Sequence, residues 1–286
     1  MGIDIHVLNF LRYAKKHQGF GKVITLGRQA IYVEESLIRS ALSAGSAYRN
    51  DTYCERLLID YFGASSVDSI DCSSFEKASV IHDLNRPVPP ELCGLYDTVI
   101  DAGTSEHIFE VTAVLKNCSR LLKPGGQIIH IVPANNFCGH GFWQFSPELF
   151  FSLYKDCYDN TEVFLADLSN TRIWYKVKPP SNGQRVNVLS SAPLYLLVRT
   201  VLKDTGFQHD QVQQSDYFFR WTQPPKNVAD SRKSGLRGVK ACLRRHALVY
   251  RPLAAISHAL LRRKIPTPTL KGNPALSKLA IESVLR

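Results

Sequence analysis

Four residues stand where short apolar runs stop, and their types can do chemistry there. Gly27 follows Lys22–Leu26, Asp71 follows Val67–Ile70, Asp83 follows Ser79–His82 and Asp101 follows Tyr96–Ile100. In an open α/β sheet, ligands bind outside the carboxyl ends of the strands, near the point where strand order reverses. A carboxylate at the end of the second strand can accept both hydroxyls of a ribose. One at the end of the third can accept the exocyclic amine of adenine. A single Asp after a strand is more often a turn or cap residue, but three in succession point to a nucleoside-binding edge.

Other candidates follow the fourth and fifth runs. Glu106-His107 opens the helical stretch after Asp101, where an imidazole can serve as a general base or simply start the helix. His140 lies between Gly139 and Gly141 in the loop 133–145 and is the second candidate base. In that loop Asn135 and Asn136 can bind substrate hydroxyls. Trp143, with Phe137, Phe142 and Phe145, can form an apolar or sugar-stacking wall, or belong to the core. There is no GxSxG nucleophile elbow and no phosphate-binding P-loop. No clustered metal-ligand spacing is visible, so the sequence gives no reason to expect a metal.

The elements that must position these residues alternate. Helical spacing covers 2–18, 51–62, 106–122, 146–154 and 193–203. Strands are expected at 22–26, 67–70, 79–82, 96–100, 127–132, 161–168, 172–178 and 213–222. Near-continuous apolar strands alternating with helices call for a mostly parallel sheet covered on both faces, here doubly wound. The late strands, joined by short loops, imply an antiparallel edge.

The block YDTVIDAGTSEHI, followed by RLLKPGGQIIHIVP, resembles the class I S-adenosylmethionine-dependent methyltransferases. The resemblance covers about residues 20–225. It implies a seven-stranded Rossmann-like sheet, S-adenosyl-L-methionine as cofactor and transfer of its methyl group. Carried over, Asp71 would hold the ribose and Asp83 would lie near the adenine, while Asp101 and Gly103 would border the methionine end. The chain departs from the pattern at the first strand. There Thr25-Leu26-Gly27-Arg28-Gln29-Ala30 keeps only Gly27 of an acid followed by a glycine-rich run. Either a remodelled loop binds the cofactor, with Arg28 paired to its carboxylate, or the fold serves as a non-catalytic binding or assembly module.

Composition is that of a globular chain: 286 residues, 44% hydrophobic and 21% charged. Seven cysteines without a CxxC pair suit a reducing, cytoplasmic setting. The N-terminus carries no secretory pattern and no run is long enough to span a membrane. The net charge of +10 is unevenly placed. Of 35 Lys and Arg, 14 lie in 226–286 against two acids, Asp230 and Glu282. The expected division is an N-terminal helix (1–20), an α/β domain (21–225) and a basic, mostly helical tail (226–286). Within the tail, 236–264 reads as a basic amphipathic segment. It suits an anionic membrane surface or packing on the domain better than nucleic acid. The substrate expected is a small or glycan-like molecule, methylated on oxygen.

Overall fold

The apolar runs pair into one nine-stranded sheet: β1 (Gly21–Leu26), β2 (Ala64–Asp71), β3 (Val80–Ile81), β4 (Tyr96–Ala102), β5 (Leu122–Pro133), β6 (Tyr158–Asp167), β7 (Ile173–Val177), β8 (Leu194–Leu202) and β9 (Leu276–Ala280). The spatial order is β3-β2-β1-β4-β5-β8-β6-β7-β9. The first five are parallel and the last four antiparallel. The helices are α1 (Ile5–His17), α2 (Glu35–Leu42), α3 (Glu55–Phe62), α4 (Val111–Leu121), α5 (Pro147–Leu153), α6 (Ser215–Thr222) and α7 (Ile281–Leu285). This computed structural model describes residues 2–42, 51–203, 212–223 and 268–285.

Alternation along each central strand divides the core in two. Ile24, Val99, Ile128 and Val132 face α4 and α5, meeting Val114, Leu121, Phe150 and Leu153. Val23, Ile100, Ile129 and Ile131 face α1 and α3, meeting Val7, Leu11, Leu58 and Phe62. Both faces are buried, which is why these strands read as unbroken apolar runs. The sheet is doubly wound as expected. Order reverses between β1 and β4, so Gly27 and the loop after β4 flank the switch point.

Local chemistry sets the ends. The Asp4 carboxylate accepts from the Val7 N–H at 2.9 Å and caps α1, whose last turn carries Lys15, Lys16 and His17. Gly63, at φ +72°, closes α3 in the left-handed conformation that favours glycine.

The structure corrects several expectations. Among the described residues the sheet has nine strands rather than seven, because β7 and β9 extend the antiparallel edge. Residues 193–203 form β8, not a helix. LYLLVRTVL lies between β5 and β6, and a strand covered on both faces loses the alternation that distinguishes it from a buried helix. Residues 213–222 hold α6, not a strand. Tyr217, Phe218 and Trp221 face solvent while Asp216 is buried and ion-paired to Arg185. The helix after β4 starts at Val111, preceded by a 3-10 turn, Ser105–His107. The basic segment 236–264 lies outside the described residues. At the C-terminal end, 276–280 is not part of a helical tail but the edge strand β9. Among the described residues, no helix is long and apolar enough to cross a membrane.

β9 pairs with β7 along five residues, and Leu276 and Ile281 are buried there. Two such side chains are together worth about 3–6 kcal/mol of burial. A chain ending at residue 267 is therefore expected to unfold at lower urea concentration by about that free energy. Equal midpoints would show that the edge strand contributes nothing.

Candidate active site

The carboxyl ends of β1, β2 and β4 open onto a cleft of about 390 Å³, within the usual range for a small-molecule site. Of the residues expected to bind cofactor, Gly27, Arg28, Asp71, Asp83 and Gly103 line it, and so does His107. Parallel pairing brings them together. Leu26 is level with both Ile70 and Asp101, and Asp71 with Ile81, so successive strands end on one edge.

Asp71 and Asp83 each form a turn as well as lining the cleft. Asp71 Oδ1 accepts from the Ser73 N–H at 3.0 Å. Asp83 Oδ1 accepts from the Asn85 side chain at 2.7 Å and its N–H at 3.0 Å. Those bonds hold the Asp83 carboxyl below the ordinary range, so it is ionised at neutral pH.

The first loop is tied down from within. Gly27 sits at φ +66° and donates to the Ile70 carbonyl. Thr25, which replaces the acid of the expected pattern, donates to the Gly27 carbonyl at 2.7 Å. The Gln29 amide donates to the Leu26 carbonyl at 2.5 Å and to Thr104 Oγ1 at 3.3 Å. A Cβ at Gly27 would stand 2.9 Å from Thr104 Oγ1. Gln29 is buried and folds back on the loop. Arg28 lines the cleft, but its guanidinium donates to Glu55 at 2.6 Å and to the Glu76 carbonyl at 2.9 Å. It also lies 4.0 Å over the Tyr53 ring. Glu55, not a ligand carboxylate, is its counter-ion.

Asp101 is not a cleft residue. It is fully buried, and its carboxylate meets His130 Nδ1 at 2.9 Å and accepts from the N–H groups of Ser105 at 3.1 Å and Thr104 at 3.3 Å. His130 Nε2 stands 2.7 Å from the Tyr154 hydroxyl. An ionised carboxylate only accepts, so His130 donates to Asp101 from Nδ1 while its Nε2 is paired with the Tyr154 hydroxyl. Burial pushes the Asp101 carboxyl up, but the His130 and Ser105 bonds win and hold it below its usual value. Asp101 positions the turn that carries Gly103–His107.

That turn buries Glu106 completely, with neither carboxylate oxygen hydrogen-bonded. Burial, followed by the Asp101 charge, pushes the Glu106 carboxyl up to about 8. Two imidazoles face it: His140 Nε2 at 3.3 Å and His107 Nε2 at 3.8 Å from Oε1. Burial lowers the pKa of both, with His140 adding to the effect on His107, so both are neutral at pH 7. The expected bases His107 and His140 are thus brought together, with ring centroids 4.8 Å apart. His140 itself is absent from the cleft lining. Gly141 is needed because its Cβ would lie 2.7 Å from the Glu106 carbonyl, which accepts from the Phe142 N–H at 2.7 Å.

The proposed substrate asparagines do other work. Asn135 donates to the Val188 carbonyl at 3.3 Å, and Asn136 to the Ser190 and Ala192 carbonyls at 3.0 Å each. They fasten the loop after β5 to the segment before β8. Trp143 donates to the Ile108 carbonyl at 3.0 Å and, with Phe109 and Phe142, keeps an exposed aromatic surface beside His107. Sequence reasoning missed Glu106 as a site residue and Gln29, Thr104 and Glu55 as the locks of the first loop. The residue before His107 was the only signal, and its burial is not legible locally.

No protein-family model matches the chain, and no curated protein matches it by sequence. Solved structures do resemble it. An S-adenosylmethionine-dependent methyltransferase from Thermotoga maritima, described as a possible histamine N-methyltransferase, shares 14% identity over 68% of this chain and 89% of its own, with a TM-score of 0.37. An N-methyltransferase from Bradyrhizobium japonicum, in complex with S-adenosyl-L-homocysteine, shares 14% over 68% and 83%, with a TM-score of 0.37. An S-adenosylmethionine-dependent methyltransferase from Archaeoglobus fulgidus shares 12% over 69% and 94%, with a TM-score of 0.41. A likeness of this kind is one of fold and carries no activity with it.

A carboxyl whose pKa is depressed by folding adds stability above its unfolded pKa and loses it as pH falls through the folded value. Asp101→Asn is therefore expected to cost about 3 kcal/mol at pH 7, the scale for breaking a buried pair. It should also flatten the loss of stability below about pH 4, where the unfolded carboxyl titrates. Urea unfolding from pH 7 to pH 3 checks both; parallel curves for the two proteins would contradict the assignment.

Proposed function

We propose that the chain is an S-adenosylmethionine-dependent methyltransferase. The carrying observation is that Asp71 and Asp83, from successive parallel strands, line one cleft with Gly27 and Gly103 at the switch point. In this reading Asp71 accepts from ribose hydroxyls and Asp83 from the adenine amine, supported by their shared cleft. The cleft volume suits a nucleoside-sized ligand. When bound, the cofactor supplies a methyl group on a sulfonium, already activated for in-line displacement. What the chain adds is chiefly positioning, which can supply much of the barrier reduction.

The acceptor side is proposed to be the turn Ser105–His107 together with the loop that brings His140. An acceptor hydroxyl entering there meets neutral imidazoles rather than ammonium groups. It also meets the exposed aromatic surface of Phe109, Phe142 and Trp143, which suits the apolar face of a small or glycan-like molecule. An acceptor hydroxyl held there would give up its proton to a nearby base or to water as the bound cofactor supplied the methyl group.

The closed first loop favours the second reading, a binding module without turnover. Gln29 and Thr104 occupy hydrogen-bonding positions that an open glycine loop would leave to a ligand. Calorimetric titration of the full chain with S-adenosylmethionine and S-adenosylhomocysteine separates the two. Binding of both is expected. Asp71→Asn and Asp83→Asn should each weaken it about 10- to 100-fold, the worth of one hydrogen bond to a charged group. No binding at millimolar concentration would end the transferase reading.

A further inference from the structure

The Glu106, His107 and His140 cluster carries more than base chemistry. Its three ligand-type atoms lie within 4.8 Å of one another, two of the separations being 3.3 and 3.8 Å from Glu106 Oε1. A tetrahedral ion with bonds of about 2.0–2.1 Å spaces its ligands about 3.4 Å apart.

Independent evidence lies in what these groups lack. Glu106 is fully buried with neither oxygen in a side-chain hydrogen bond, and His140 Nε2, 3.3 Å from Glu106 Oε1, is likewise buried without one. Nearly all buried polar groups find a partner, and a buried carboxyl without one is costly. Here a carboxyl group and two imidazole nitrogens converge on the same space from two chain segments. The Glu106 carbonyl fixes the loop that delivers His140, through the N–H groups of Phe142 at 2.7 Å and Trp143 at 3.2 Å. The backbone is thus built to keep these side chains together.

We infer that Glu106, His107 and His140 form a binding site for a first-row divalent cation of the zinc type. Two imidazoles and one carboxylate suit such ions, whereas magnesium and calcium take oxygen-only sets. Three protein ligands leave at least one coordination position open. His107 lines the cleft, so a cation held here would stand at the cleft wall, and its open position would take water or an acceptor oxygen. There the cation lowers the pKa of the bound hydroxyl and orients it. Both imidazoles then act as ligands, not as bases. This role rests on the transferase reading; the site itself does not.

The test uses the full chain, stripped with chelator, titrated with cobalt(II) at neutral pH without cofactor. The expected result is one equivalent bound, with visible bands displaced by zinc. Glu106→Gln and His140→Ala should each weaken binding by roughly 100-fold or more, since each removes one of three ligands. Far-UV dichroism and thermal unfolding of the metal-free variants establish that they are folded. Should either fail to fold, the wild-type imidazole resonances decide. Substoichiometric manganese(II) broadens His107 and His140 before His17, which ends α1 beside Tyr13, toward the amino ends of the central strands. No cobalt spectrum at millimolar metal, unchanged affinity in the Glu106→Gln/His140→Ala double variant, or equal broadening of all imidazoles overturns the inference. All three readouts are blind to methyl transfer, so failure of the metal site and failure of the transferase reading are distinguishable.

Discussion

Asp101 has no access to water, and everything at the switch point depends on how its charge is met. Its carboxylate joins β4 to β5 through His130, and through the N–H groups of Thr104 and Ser105 it sets the turn that leaves the sheet. That turn supplies Gly103 to the cleft wall, Thr104 to the first loop and Glu106-His107 to the acceptor side. Its negative charge is also the second cause, after burial, of the raised Glu106 carboxyl. One buried hydrogen-bonded carboxylate thereby orders the cleft wall and leaves its neighbouring carboxyl in need of a partner.

Parallel pairing supplies the other constraint. Because β2, β1 and β4 run in one direction and in register, their ends cannot avoid sharing an edge, and Asp71 and Asp83 fall on the same cleft. The first loop solves its own problem differently from an open glycine run. Thr25 and Gln29 satisfy its carbonyls from side chains, and Arg28 is neutralised by Glu55 and stacked on Tyr53. The result is a firm wall, with close approach kept only at Gly27.

Much of this was legible in the sequence because burial on both faces leaves a compositional mark. The runs KVITL, YDTVI and QIIHIV could hardly be anything but central strands. The same property misled at LYLLVRTVL, where complete burial of β8 erased the period. In α6 the aromatics that suggested a strand turn out to face solvent. Asp101 could not be told from Asp71, since both follow a strand. What separates them is His130, 29 residues on, in a strand that only the fold places alongside. Glu106 and His140 are brought to 3.3 Å across 34 residues for the same reason. Asn135 and Asn136 have the types of ligand-binding residues, but the carbonyls of Val188, Ser190 and Ala192 claim them.

A crystal structure of the chain with S-adenosylhomocysteine addresses the central claim most directly. The expected density places the ribose hydroxyls on the Asp71 carboxylate and the adenine amine beside Asp83, with the first loop moved little. A cleft left empty at millimolar ligand, or an adenosine bound away from both carboxylates, would contradict the account.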